Sequence, residues 1–157
     1  MRTSRCTLFL AATLALLPAR AVAQHDHDHP HAVPEKLGSV RFPTSCKPEV
    51  QPAFARGLAL LHSFAYGEAA RAFAGVAAID PGCAMAQWGI AMSHFHTIWA
   101  PPTEGDFTTG RAAAQKAAAG APSARERDYI AAIGTFYQGD EVPHPARVVA
   151  YEQAMAG

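Results

Sequence analysis

The sequence predicts an all-α fold, an array of antiparallel helix hairpins amounting to about two and a half repeats. Three observations carry this. Half of the residues are hydrophobic and Ala dominates them, and Ala loses least on entering a helix. From Phe54 onward apolar residues recur at spacings of three and four, the period of a buried helix face. Gly67, Asp80-Pro81-Gly82, Pro101-Pro102, Gly120 and Gly139 then punctuate the periodic stretches closely enough to fold them into hairpins. A length of 157 residues holds one modest domain.

Residues 1–23 read as a secretory signal. Arg2 and Arg5 precede an apolar run from Cys6 to Leu17, Pro18 breaks it, and Ala21-Val22-Ala23 offers the small residues that place cleavage after Ala23. The run is shorter than the ~20 residues of a membrane span. A periplasmic or secreted protein without stable membrane insertion is expected. Cys6 lies inside the apolar run and not at the cleavage point, which argues against a lipoprotein.

Removing Arg2, Arg5 and Arg20 leaves 10 basic against 13 acidic residues, a net charge of −3, so no basic field points to nucleic acid. Cys46 and Cys83 remain. An even pair in an oxidising compartment favours a disulfide over a reactive thiol or a metal site, and closing a loop of that length is worth roughly 4 kcal/mol at most. Two separate buried thiols are the alternative.

Residues 24–46 show neither helical nor strand period. His25-Asp26-His27-Asp28-His29-Pro30-His31, Pro34 and Pro43 predict a flexible His/Pro-rich arm, with Val40 and Phe42 on one side of an extended segment that docks locally.

Residues 47–157 form the helical domain. Phe54, Leu58 and Leu61 stripe a first helix after Pro48, with Gly57 and Leu60 beside them. A second spans Glu68 to Ile79, turning Ala69, Ala70, Phe73, Val76 and Ala77 inward, and Pro81 stops it. A third runs from about Cys83 to His96 through Met85, Trp88, Met92 and Phe95. A fourth, Ala-rich helix covers Gly105 to Ala119 and ends at Gly120. Ser123-x-x-Glu126 is a capping box that opens a fifth through Tyr129, Ile130, Ile133, Phe136 and Tyr137. Pro145 suits the first turn of a sixth, with Val148, Val149 and Tyr151.

A shift of 34 residues aligns Gly57-Leu58-Ala59-Leu60-Leu61-His62 with Ala91-Met92-Ser93-His94-Phe95-His96, the length of one tetratricopeptide unit. Gly57, Ala69-x-x-x-Phe73 and Pro81 resemble the small, small, aromatic, proline pattern of the tetratricopeptide repeat (TPR) family. Phe42-Pro43-Thr44-Ser45-Cys46, Ala59-Leu60-Leu61-His62-Ser63-Phe64 and the segment from Asp80 to Ala91 resemble bacterial exported TPR-domain proteins. That resemblance covers the mature chain from about Phe42. It implies a TPR-like helix-hairpin solenoid in which Gly57 and Ala69 permit close helix approach and Phe73 fills the gap between repeats. Departures exist: Ala53 and Arg56 replace the aromatic and Leu that usually open a repeat. Trp88 falls one place late, His94 stands for the usual Tyr, and Pro101-Pro102 displaces the second repeat's second helix. Because repeats bury their faces only by stacking, a fragment of a longer array, truncated at the C-terminus, is expected.

The resemblance assigns Phe54, Leu58, Leu61, His62, Met85, Trp88, Met92, Phe95 and His96 to the inner face made by the first helix of each hairpin. An apolar, aromatic, Met-containing groove suits a protein or peptide partner, as an extended segment or an amphipathic helix. The same residues could equally be core, covered by later helices or by the arm. His62 and His96, one repeat apart, would stand about 10 Å apart and share a ligand with His94 nearby, or simply cap backbone at the groove edge. In the arm, His25, His27, His29 and His31 alternate with carboxylates, a donor set for Zn, Cu or Ni. A flexible arm offers capture and not a fixed open catalytic site; a merely solvated polar terminus is the plainer reading. No nucleophile elbow, zinc-protease motif, phosphate loop or paired carboxylates on one helix occur. A binding scaffold and no enzyme is expected, with metal capture by the arm as the second reading.

Overall fold

The structure, a computed structural model, describes residues 36–96, 100–120 and 122–157. The expected signal peptide and the His run at 25–31 lie outside the described residues. Among these residues the fold is all-α: a short 3-10 turn at Pro48–Val50 leads into α1 (Gln51–His62), α2 (Tyr66–Ile79), α3 (Ala84–Ser93), α4 (Glu104–Ala118), α5 (Ala124–Phe136) and α6 (His144–Ala156). None of them is long and apolar enough to cross a membrane.

Local chemistry sets the ends. The chain leaves α1 through Phe64, whose φ of 60° is left-handed. Ala65 N–H reaches back to Leu60 O at 3.0 Å and Phe64 N–H to Leu61 O at 3.1 Å, the paired bonds that close a helix C-terminus. Helix α3 stops at Ser93, earlier than the apolar period suggested, because the chain turns through His94 and Phe95 and His96 takes a φ of 45°. Thr103 caps α4 by accepting the Asp106 N–H at 3.1 Å, and the capping box of Ser123 and Glu126 opens α5 as the sequence predicts.

Consecutive helices pack on one another as hairpins, and α1 touches α3 while α3 touches α5. The first helices of the three hairpins therefore stand side by side. Phe73 of α2, fully buried, is the wedge between two of them. A methyl group placed on Gly57 of α1 would lie 2.9 Å from its ring, and one on Gly89 of α3 only 2.5 Å away. Only glycine leaves room for that ring on both sides. Gly57 and Gly89 thus supply the two walls against which the Phe73 ring packs.

The third hairpin is held by arginine. Arg147, buried at the start of α6, donates to the carbonyls of Val142, Phe136 and Gln138 at 2.8, 2.9 and 2.5 Å and to that of Gly139 at 2.5 Å. It satisfies the last carbonyl of α5, that of Phe136, and three carbonyls of the connection from α5 to α6. Its guanidinium also lies over the Phe107 ring at 4.5 Å.

Candidate functional site

The side-by-side faces of α1, α3 and α5 are crossed near their N-terminal ends by a strap of irregular chain, residues 42–46, that bends at Ser45 and Cys46. Every residue of the strap is fastened. Phe42 stacks on Trp88 of α3 with ring centroids 6.1 Å apart and planes 6° apart, meets Tyr129 of α5 edge-on at 5.4 Å and lies 6.2 Å from Phe54 of α1. Arg125 of α5 lies over its ring at 4.7 Å and donates to the Pro43 carbonyl. Gln51 of α1 donates to Thr44 Oγ1 at 2.6 Å. Glu126 of α5 takes the Ser45 N–H and hydroxyl, both at 2.7 Å. Cys46 is joined to Cys83, the residue before α3, by a disulfide across a separation of 37 residues, and Asp80 accepts the Lys47 N–H at 2.9 Å.

The arm expected to stay flexible to residue 46 is therefore bound from at least Leu37, since Leu37, Val40 and Phe42 all pack on the core. The physical reason is the strap's own content: an aromatic that three helices surround, a covalent anchor, and backbone groups that find side-chain partners. The expected docking of Val40 and Phe42 is seen.

The strap changes the standing of the predicted groove. Phe54 and Met85 are fully buried, and Leu58, Leu61, Trp88 and Phe95 are buried too. These six are core residues, which is the second of the two readings the sequence left open for them. Phe42 and Tyr129 close the N-terminal part, while Phe136 and Tyr151 close over Phe95, edge-on at 4.4 and 4.7 Å. Met92 is half-buried, with the Tyr151 hydroxyl 3.9 Å from its sulfur. His62 is exposed and His96 partly so.

One polar atom in this core has no partner among the described residues: the Trp88 indole nitrogen, on the ring that Phe42 stacks against. A buried donor without an acceptor is uncommon in folded proteins. Glu126 shows the opposite treatment. Burial alone would raise its pKa, but the hydrogen bonds from Ser45 and Ser123 outweigh this and hold it below the ordinary glutamate value. The capping role of Glu126 is legible from Ser123-x-x-Glu126; its hold on Ser45, 81 residues away, has no local signal.

A second cluster lies at the opposite ends of these helices. His94 Nδ1 is 2.9 Å from Asp106 Oδ1, and Thr103 Oγ1 donates to Asp106 Oδ2 at 2.6 Å. His96 has its ring 6.4 Å from that of His94, planes 26° apart, and 4.6 Å from that of Tyr66. Desolvation raises the pKa of Asp106, but the bonds from Thr103 and His94 and the fields of both histidines bring it below the usual value. His96 thus lies beside both His94 and Tyr66. A third feature, a 380 Å³ cleft between α4 and α5, is walled by Ala114, Ala118 and Gly134 with Arg111 at its rim. That arginine is already committed to the Tyr137 and Gly139 carbonyls and to Asp140.

Compared with known proteins, the chain matches no family model, no curated protein and no solved structure.

Proposed function

We propose that this chain is an exported, TPR-like binding scaffold whose first-helix face recognises extended polypeptide, without a catalytic role of its own. The observation that carries the reading is the strap: the α1/α3/α5 face already holds five residues of the chain's own irregular backbone, residues 42–46. It uses the means by which peptide-binding surfaces generally work, aromatic anchoring combined with hydrogen bonds to the backbone. The unpaired Trp88 N–H supports it further, as a donor that a differently seated chain could satisfy with a carbonyl. Export rests on the pattern of residues 1–23, and protein isolated from the secreting cell should begin at Gln24.

The test uses the full chain. A Phe42→Ala, Cys46→Ser variant loosens the strap while leaving the face intact. A synthetic peptide of sequence Val-Arg-Phe-Pro-Thr-Ser-Ser, which copies residues 40–46 with the final cysteine replaced, is then titrated in. Saturable binding to the folded variant, and none to the oxidised wild type, is expected. A folded variant that ignores the peptide would sink the reading.

A second reading, capture of Zn, Cu or Ni by His25, His27, His29 and His31, is favoured by histidine at every second position of that run, with Asp26 and Asp28 between the first three.

A further inference from the structure

We propose that the Cys46–Cys83 bridge is a reducible latch: a dithiol that opens it frees residues 42–46 from the α1/α3/α5 face while the helices stay folded. Opening needs no ligand, so the inference stands apart from peptide recognition.

The strap is a surface layer with one buried point. From residue 36 to residue 47 Cys46 alone is buried; Phe42 and Thr44 are half-buried, and Pro43 and Ser45 are exposed. Water can therefore take over the hydrogen bonds of Thr44 and Ser45 when the chain lifts. The covalent bond to Cys83 is the attachment that water cannot replace. Segments with few buried contacts are the ones that open locally in a folded protein.

The helices carry a core of their own. The Phe73 ring is walled by Gly57 and Gly89, and Phe136 is packed by Phe95, Phe107 and Tyr137. All of these residues lie in the helices or in the connections between them. Asp80 sets the hinge. It accepts the Lys47 N–H at 2.9 Å, on the α1 side of the bridge, and Pro48 begins the 3-10 turn that leads into α1. That bond does not involve the sulfurs, so Lys47 stays in place and the chain before it pivots.

The chemistry is thiol–disulfide exchange. Cys46 is the less buried partner, 8% exposed against 2% for Cys83, and takes the attack. One thiolate of the reductant bonds to Cys46 Sγ, the bond between the two cysteine sulfurs breaks, and Cys83 leaves as a thiolate that takes up a proton. The reductant's second thiolate then displaces Cys46 from the mixed disulfide, and Cys46 is protonated in turn. The chain gains two electrons and two protons, and the dithiol leaves as its own disulfide.

The experiment uses the full chain without denaturant. Dithiothreitol is added, the freed thiols are trapped with iodoacetamide and located by mass, and trypsin cleavage between Arg41 and Phe42 is timed beside far-ultraviolet circular dichroism. Proteolysis follows how often a segment opens. Cys46 and Cys83 are expected to react, and cleavage after Arg41 to quicken about tenfold or more with helicity unchanged. Reoxidation of the untrapped chain should restore the slow rate, and a Cys46→Ser, Cys83→Ser chain should be cut as fast as the reduced one. A bridge that resists dithiothreitol in the folded chain would overturn the latch. So would cleavage that reduction leaves unchanged, because the side-chain bonds would then hold the strap alone. Loss of helicity on reduction would overturn it too, because the bond would then hold the whole fold.

Discussion

Ser45 gives both its backbone N–H and its hydroxyl to the carboxylate of Glu126, each at 2.7 Å, across 81 residues of sequence. The same carboxylate accepts the Ser123 N–H at 2.7 Å to complete the α5 cap. One fully buried side chain thus starts a helix and fastens the strap that crosses it. Hydrogen bonds to a charged group are worth about 1.5–3 kcal/mol, so Glu126→Gln, whose amide presents donors to the Ser45 donors, should lower unfolding free energy by about 2–3 kcal/mol at neutral pH. Urea denaturation of both chains measures it.

The same carboxylate sets an acid response. Its folded-state pKa is lowered, so its contribution is complete above the ordinary glutamate value of about 4.3 and declines as pH falls toward and through the folded value. The stability difference between wild type and Glu126→Gln should therefore be constant from pH 7 to 5 and shrink below about pH 4. A difference that stays constant into that range would show that the two serines do not act through the ionised form.

The Cys46–Cys83 bond closes the strap at its other end. Constraining a loop of 37 residues is worth roughly 4 kcal/mol in the chain-entropy account. Reduction by a dithiol, or a Cys46→Ser, Cys83→Ser pair of substitutions, should lower the urea midpoint accordingly. It should also loosen Phe42 from Trp88, seen as a red shift of Trp88 emission in a Trp99→Phe background. A reduced chain as stable as the oxidised one would mean that the side-chain bonds hold the strap unaided.

Phe73 yields a graded series. A methyl group on Gly89 would stand 2.5 Å from its ring and one on Gly57 2.9 Å from it, whereas one on Gly75, on the exposed side of α2, would meet nothing. Overpacking a core costs about 1–3 kcal/mol, while Ala gains about 0.5–1 kcal/mol over Gly within a helix. Gly89→Ala should destabilise most, Gly57→Ala less, and Gly75→Ala should stabilise. Thermal melts rank the three, and a different order would mean that Phe73 is not the wedge.

How much of this was legible follows from range. Helix positions were written in local residues: the Phe54-Leu58-Leu61 stripe, the stop at Pro81, the box at Ser123 and Glu126. That Gly57 and Gly89 wall the Phe73 ring was not legible, because neither glycine is a near neighbour of Phe73 in the sequence. The strap was not legible either, since the partners of Phe42 and Ser45 lie on helices that follow after very different lengths of chain, and no spacing rule links them. For the same reason the stripe from Phe54 to Phe95 could not reveal whether it faced solvent: an apolar face reads identically whether a ligand or the chain's own Phe42 covers it. The Cys46–Cys83 bridge was readable only because pairing two cysteines needs no knowledge of the path between them.

Trp88 decides how that covered face is built. Its ring is buried against Phe42 and Tyr129, yet its indole N–H has no acceptor among the described residues. Truncation to alanine removes a large buried ring and should cost about 3–5 kcal/mol. Phenylalanine keeps most of the stacking area and removes the unpaired donor, whose desolvation costs about 1–3 kcal/mol. The two contributions oppose each other, so Trp88→Phe should lie within about 1 kcal/mol of wild type by urea denaturation. A loss near that of the alanine variant would mean that the N–H has a partner in solution, water included. A small loss for Trp88→Phe beside a large one for Trp88→Ala would mark Trp88 as a residue held by packing alone, with its N–H adding no stability.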